Sequence, residues 1–419
     1  TRKELEETRK ELEETRKEIF LILNSMKYKI IIRFEKLLKK IYLLNILKYF
    51  IHFYIKIKRY GFGFISKKIL YYVRYRLKKQ INVLSVINGI YPSIILGVDI
   101  PLKYLLKQNK INYISVFPEN VNYLDIKISD IILFFRNVDD ISFEIFNKSK
   151  ELNKKIIYCI DDNFELIPDS HPIKGTINFE ILKSFYKESD YLITYSEYFR
   201  EKLKNYNRNI YYVSNLANIE MIENIKKRCN INKNRIQDKV IIGYLSSDPA
   251  HIIYFNIIKE AIRSILREYR NNVELHLINI KSEIMNEFDN VKYFEPIKSI
   301  QKFYEFMLNH QWDIGLAPLF DTEFNKCKTD NKYREYASLG ICGIYSNVIP
   351  YASSVKNNLT GILVDNRKDL WYNAIKDLIE NIDKRKMIIK NAYEDVKERY
   401  SLHKYADNYF YIFKKAMEE

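Results

Sequence analysis

The chain has 419 residues, 47% of them hydrophobic, and a formal net charge of +16, which leaves room for two or three domains with proper cores. The basic excess is local: residues 1–26 hold six basic and seven acidic residues, and residues 27–80 hold sixteen Lys/Arg against the single acid Glu35. Taking −1 and +15 from +16 leaves +2 for residues 81–419, which argues against a nucleic-acid binder with a wide electropositive face.

The first twenty residues, TRKELEETRKELEETRKEIF, repeat every seven. Leu5, Leu12 and Ile19 fall at one seam position and Thr8, Thr15 and Ile22 at the other. That predicts a coiled coil over residues 1–26, through which the chain self-associates; the alternative is a solvated single helix held by surface ion pairs. The repeat is expected to continue upstream of Thr1. Residues 27–80 then interleave aromatic and aliphatic residues with lysine and arginine, and no uncharged run there exceeds seven residues. A spanning helix needs about 20 apolar residues. A basic amphipathic helix lying on an anionic membrane surface is the expected form. Packing of its apolar side on a neighbouring domain, or base stacking on a nucleic acid, are the alternatives. No signal peptide is visible. Cys159, Cys229, Cys327 and Cys342 have no metal-ligand spacing, and they fit a reducing cytoplasm.

From Ile81 the texture alternates. INVLSVI, INYISVF, DIILFFR, KKIIYCI, YLITYS and IYYVSN read as buried strands, with helices such as IPLKYLLKQNK and SEYFREKLKNY between them. Alternating strands and helices predict a parallel, doubly wound sheet over residues 81–232, whose ligands sit at the carboxyl ends of strands. Three such ends carry polar residues: Asn88, Gly89 and Ser93; Arg136; and Asp161, Asp162 and Asn163. The paired aspartates are equally readable as a turn or a helix cap.

The polar run 231–239 is expected to link to a second α/β domain over residues 233–395. VIIGYL, VELHLI and WDIGLAPL are its strands, and Ser246–His251 is a loop leading into a helix. A further helix begins near Thr329, with Lys328 ahead of it and Lys332 and Glu335 four and seven positions on. Two lysines at the positive end of a helix are unfavourable unless an anion sits there, and a diphosphate would take the lysines and the backbone N–H groups together. Glu335, one turn deeper, would accept from ribose hydroxyls. The other reading is an exposed basic helix end with Glu335 paired to a lysine.

The ordered series in DIGLAPLFDTEFNKCKTDNKYREYASLGICGIYSNVIPY, followed by WYNAI, resembles the donor-binding domain of GT-B nucleotide-sugar glycosyltransferases of the GT4-like type found in bacterial surface-polysaccharide clusters. IGYLSSDPAH and YCIDDNFELIPDSHP resemble further segments of that family, and the likeness covers about residues 81–415. The resemblance implies two Rossmann-like domains facing across a cleft, with a C-terminal helix over residues 396–419 returning to the first. It implies that Lys328 and Lys332 neutralise the donor diphosphate, Glu335 holds the ribose, and Thr329 and Asp330 present helix-terminal N–H groups. His251 would face the phosphates, Asp321 and Asn325 the sugar, and Asp161 and Asp162 the acceptor. The implied reaction is metal-independent, retaining transfer from a nucleotide-diphosphate sugar to a glycan or lipid-linked glycan, at the inner face of the membrane, with no cofactor. An epimerase of the same fold or an inactive scaffold is the rival. Two positions depart from the family pattern: Cys327 stands where a second glutamate is common, and Cys159 where the first aspartate of the Y-D-x-D-D segment would be.

Overall fold

The computed structural model describes residues 62–77, 80–169, 171, 173–229, 239–246, 248–297 and 299–418. The predicted coiled coil and most of the basic segment lie outside the described residues. The chain divides into two units, residues 1–70 and 71–419, and the second carries both sheets described here. No helix among the described residues is long and apolar enough to cross a membrane.

The first sheet is built from β1 (Ile81–Ile87), β2 (Ile111–Val116), β3 (Ile131–Phe135), β4 (Lys155–Ile160), β5 (Tyr191–Thr194) and β6 (Ile210–Tyr212). They lie in the order β2-β1-β3-β4-β5-β6, all parallel. Nearly every residue of β1, β3 and β4 is buried, as expected of strands covered on both faces. The second sheet comprises β7 (Val240–Leu245), β8 (Val273–Ile278), β9 (Val291–Phe294), β10 (Ile314–Ala317), β11 (Cys342–Ser346) and β12 (Ile362–Val364), ordered β12-β11-β10-β7-β8-β9 and again parallel. That is the doubly wound arrangement whose strand order reverses beside the first strand. Two such parallel sheets with flanking helices fit the expected GT-B architecture.

Helices of seven residues or more are α1 (Phe62–Leu77), α2 (Ile100–Lys107), α3 (Asp140–Glu151), α4 (Phe179–Glu188), α5 (Glu197–Leu203), α6 (Ile219–Cys229), α7 (Ile252–Glu268), α8 (Ile300–His310), α9 (Asn331–Leu339), α10 (Lys368–Glu380), α11 (Ile382–Arg399) and α12 (Leu402–Glu418). Three differences from the expected boundaries have physical causes. Tyr71 is buried, donates or accepts at Ser129 Oγ (2.8 Å), and receives Asn112 Nδ2 at its carbonyl (2.9 Å). The first α/β half therefore begins ahead of residue 81. The chain crosses to the second half at Leu216–Asn218, ahead of the expected 232/233 boundary: Ile222 and Ile225 of α6 already pack with Tyr304 and Leu308 of α8. The crossing is short and buried, so composition did not mark it as a linker. The return passage is at Tyr400–Ser401, between α11 and α12, rather than at 396.

Beyond that passage, α12 joins the first half. Tyr405, Tyr409, Ile412 and Phe413 are members of its core. The Tyr405 and Tyr409 hydroxyls both donate to the Gly97 carbonyl (2.6 and 2.8 Å). Gly97 sits in a π-helical stretch, Ile95–Asp99.

In the second half Gly243, Gly315 and Gly343 lie side by side across β7, β10 and β11. A Cβ on Gly243 would stand 2.0 Å from the Trp312 indole, and one on Gly315 would stand 2.7 Å from the Tyr336 ring. Glycine there permits close approach. It lets Tyr336 reach across the sheet to donate to Leu316 O (2.9 Å), which pins α9 against β10.

Candidate active site

The carboxyl ends of both sheets meet. Lys202 reaches Glu323 across the junction (2.8 Å), as does the Tyr198 hydroxyl (2.9 Å), and Asn163 Nδ2 contacts Cys327 Sγ (3.7 Å).

On the first half, register pairs Phe135 with Ile87 on one side and Cys159 on the other. Arg136 emerges one step later, between the ends of β1 and β4. Its φ is 57°, a conformation that costs a bulky residue about 1–3 kcal/mol and that clusters at functional sites. Neighbours hold it there. Its N–H donates to Cys159 O (3.1 Å) and its carbonyl accepts Asn88 Nδ2 (3.2 Å). The guanidinium grips Asp161 through Nε and Nη2, the latter at 2.5 Å, and Nη2 also reaches Asp162 Oδ2 (2.7 Å). The rings of Tyr91, Phe135 and Phe164 surround it at 5.6–5.7 Å. The two aspartates are driven apart. Burial pushes Asp161 above the usual carboxylate range against the pull of Arg136. Burial acts on Asp162 in the same sense, but Lys328 and Arg136 together hold it below that range.

On the second half, β10 ends in a clamp. Ser346 Oγ accepts the Leu319 N–H (2.8 Å) and donates to Asn366 Oδ1 (2.6 Å), while Asn366 Nδ2 donates to Leu319 O (2.8 Å). This fixes where the following segment starts. That segment, expected as a loop, contains a one-turn helix, Glu323–Lys326, capped by the Thr322 side chain. Asn325 is 2% exposed: its amide donates to Phe320 O (3.0 Å) and accepts the Tyr254 hydroxyl (3.0 Å). Its side chain holds the segment down. Asp321 is largely exposed and paired with Lys326 (3.1 Å).

Lys328 Nζ lies 4.5 Å from the Phe324 ring centroid and 3.9 Å from Asp162 Oδ1. Lys332 pairs with Glu335 (3.1 Å), the lysine partnership that the other sequence reading expected. Asp330 caps α9, but its carboxylate is engaged by Arg334 (2.9 Å) and by the Tyr400 hydroxyl (2.6 Å). Only its backbone remains for the expected role beside Thr329, since first-turn N–H groups have no partner within their helix. His251 ends a turn at the start of α7, with Nδ1 2.8 Å from Ser246 Oγ. Burial, helped by Lys328, lowers it to about 4, so it is neutral near pH 7.

Cys327 is fully buried and its thiol is pushed up to about 11 by burial; it packs against Asn163 where the family pattern has a carboxylate. Cys159 is also buried, pushed up to about 12, with Sγ 4.0 Å from the Tyr409 hydroxyl. Both departures are inward-facing thiols. Ser93 lies in the one-turn helix Pro92–Ile94, away from the aspartates in sequence and outside the bonded network.

Sequence reasoning passed over several groups here. Arg136 was visible as a strand-end residue, but nothing local signalled its handedness. His171 lies in the field of Asp248, Lys328, Asp162 and Arg136, and burial lowers it. Tyr254 and Phe320 lie with ring centroids 5.7 Å apart and planes tilted by 47°, beside His251, an aromatic wall with no sequence motif of its own.

No protein-family model matches the chain, and no curated protein matches its sequence. Solved structures do match. A glycosyltransferase from Rickettsia africae aligns with a TM-score of 0.55 at 16% identity, over 82% of this chain and 100% of its own. Sucrose-phosphate synthase from Thermosynechococcus elongatus aligns at 0.57 and 12%, over 81% and 100%. Anabaena HepE, in complex with UDP and glucose, aligns at 0.55 and 11%, over 80% and 99%. A putative UDP-N-acetylglucosamine 2-epimerase from Listeria monocytogenes aligns at 0.53 and 13%, over 81% and 97%. The chain shares the two-sheet fold of these proteins along nearly their whole length.

Proposed function

We propose that the chain is a glycosyltransferase that uses a nucleotide-diphosphate sugar as donor and a glycan or lipid-linked glycan as acceptor, of the GT4-like type with retaining, metal-independent chemistry. The observation that carries this reading is the placement of Lys328 and Lys332 around the start of α9, at the carboxyl edge of the second sheet and opposite Asp162. A diphosphate there meets two cations and a helix N-terminus, and charge developing on the leaving group is stabilised by groups already in place. Glu335 exchanges its bond to Lys332 for the ribose. Arg136 keeps Asp161 and Asp162 fixed at the acceptor side. HepE, solved with UDP and glucose, and sucrose-phosphate synthase share this fold.

The test is a thermal-shift screen of nucleotide sugars, since a ligand that binds only the folded state raises apparent stability, followed by an assay for nucleoside diphosphate release with acceptor present. Silence across all common nucleotide sugars rejects the reading. The Listeria neighbour favours one rival, epimerisation. That rival is identified if a nucleotide sugar incubated alone is converted to an isomeric nucleotide sugar.

The basic stretch 27–80 is proposed to bring the enzyme to an anionic membrane surface from the cytoplasmic side, with residues 1–26 self-associating. Each lysine or arginine near such a surface contributes about 1 kcal/mol, so cosedimentation with phosphatidylglycerol vesicles should weaken, but persist, at high salt. A chain beginning at Tyr71 that sediments equally well overturns this role.

A further inference from the structure

The chain passes between its halves twice, at Leu216–Asn218 and at Tyr400–Ser401, and both passages converge on the first turn of α9. Arg334 is 3% exposed. Its Nη1 donates to Leu216 O (2.7 Å) in the first passage, and its Nε donates to Asp330 Oδ1 (2.9 Å). The other oxygen of Asp330 accepts the hydroxyl of Tyr400 (2.6 Å) in the second passage. The passages are also joined directly, Ala217 N–H to Tyr400 O (3.0 Å). On the same helix Tyr333 donates to Asp395 of α11 (2.7 Å).

A buried ion pair adds little net stability over an apolar pair of the same volume. What it does supply is direction, because each lone pair and N–H must keep its partner or leave a charge unsatisfied. Here the partners are the backbone of one passage and the side chain of the other. Lys328 and Lys332 flank Asp330 at two residues on either side, so a ligand that moves them moves Asp330. The hinges of two-domain closures are a few residues that absorb backbone change, and these two passages are the covalent links between the halves.

We propose that Arg334, Asp330 and Tyr400 form a strut that couples occupancy of the α9 first turn by a nucleoside diphosphate to the angle between the two sheets. The inference rests on the proposed donor site, deepens it, and gives the Asp330 carboxylate a coupling role beside the donor contact expected of its backbone. Tyr400 and Arg334 are then positioning residues. The three strut side chains bond to one another and to the passages, and they transmit a shift because their bonds cannot lengthen without leaving a buried group unpaired.

The test uses the full chain and small-angle X-ray scattering, with ADP, GDP, UDP, CDP and dTDP as probes and calorimetry for affinity. Tyr400→Phe removes one hydroxyl and little volume. With the best probe at saturation, the wild type compacts and Tyr400→Phe does not, while the affinity of the variant falls about fivefold, the low end of typical couplings between sites. Asp330→Asn, which keeps shape and loses charge, gives the same loss of compaction. A purely structural role predicts a lower melting temperature with compaction intact, and that result overturns the strut. A wild type that binds a probe but does not compact also overturns it. A wild type that binds none of the five removes the donor site itself, and the strut with it.

Discussion

The two carboxyl edges that face each other handle charge in opposite ways. On the first half, Arg136 spends its guanidinium on Asp161 and Asp162 inside an aromatic cage; its charges are settled before any ligand arrives. On the second half the cations are loosely held. Lys328 is 3.9 Å from Asp162, and Lys332 is paired with Glu335, one helical turn away. A site that must take up and release a multiply charged group needs such exchangeable cations. A site that must hold a neutral hydroxyl in place is better served by fixed groups.

The largest expected effect tests the fixed side. Arg136→Met leaves the buried Asp161 without its partner and the half-buried Asp162 with Lys328 alone, a loss of about 3–5 kcal/mol, read as a lower midpoint in urea. Adding Asp161→Asn should recover part of it; no recovery means the cage is not electrostatic.

The second half should be the acid-sensitive one. His276 is buried, with Nε2 facing Glu274 (2.5 Å) and Nδ1 accepting the Trp312 indole N–H (3.0 Å), and with His310 and Lys292 nearby. Burial lowers it from 6.5 to about 4. The folded state therefore prefers the neutral ring. Its contribution is complete above pH 6.5 and is lost as pH falls toward 4, up to about 3 kcal/mol. Stability measured between pH 7 and 4 should slope down, and His276→Gln should flatten that slope.

The exchangeable side is tested by Lys328→Ala. It should weaken nucleoside diphosphate binding by about 1.5–3 kcal/mol while leaving nucleoside binding nearly unchanged. Equal losses for both ligands would erase the contrast between the two edges. The smallest effect concerns the clamp at the end of β10. Ser346→Ala removes the acceptor of the Leu319 N–H and should cost about 1 kcal/mol, with a modest loss of nucleotide affinity because the segment carrying Lys328 starts from that point.

How far sequence reached follows the same division. INVLSVI and DIILFFR were legible as strands because β-branched and apolar runs have few other uses, and Asp161 and Asp162 at the tip of KKIIYCI followed from that. Lys328, Lys332 and Glu335 were legible because helix spacing is local. What was not legible was set by long-range partners. The bonds that tie the Asn325 amide to Tyr254 and the Asp330 carboxylate to Tyr400 have no local signal in sequence. The crossing at Leu216–Asn218 is short and buried and so does not read as a linker, and the left-handed turn at Arg136 is imposed by tertiary packing against residue preference.

The return of α12 to the first half has a consequence for synthesis. Tyr405 reaches Gly97 across 308 positions of sequence, and the core of the first half includes Tyr409, Ile412 and Phe413. Such distant closure is slow and leaves apolar surface open in the meantime. On the ribosome, the half translated earlier must wait, unsealed, for a helix made after the whole of the second half, and through that interval it is the half that depends on chaperones.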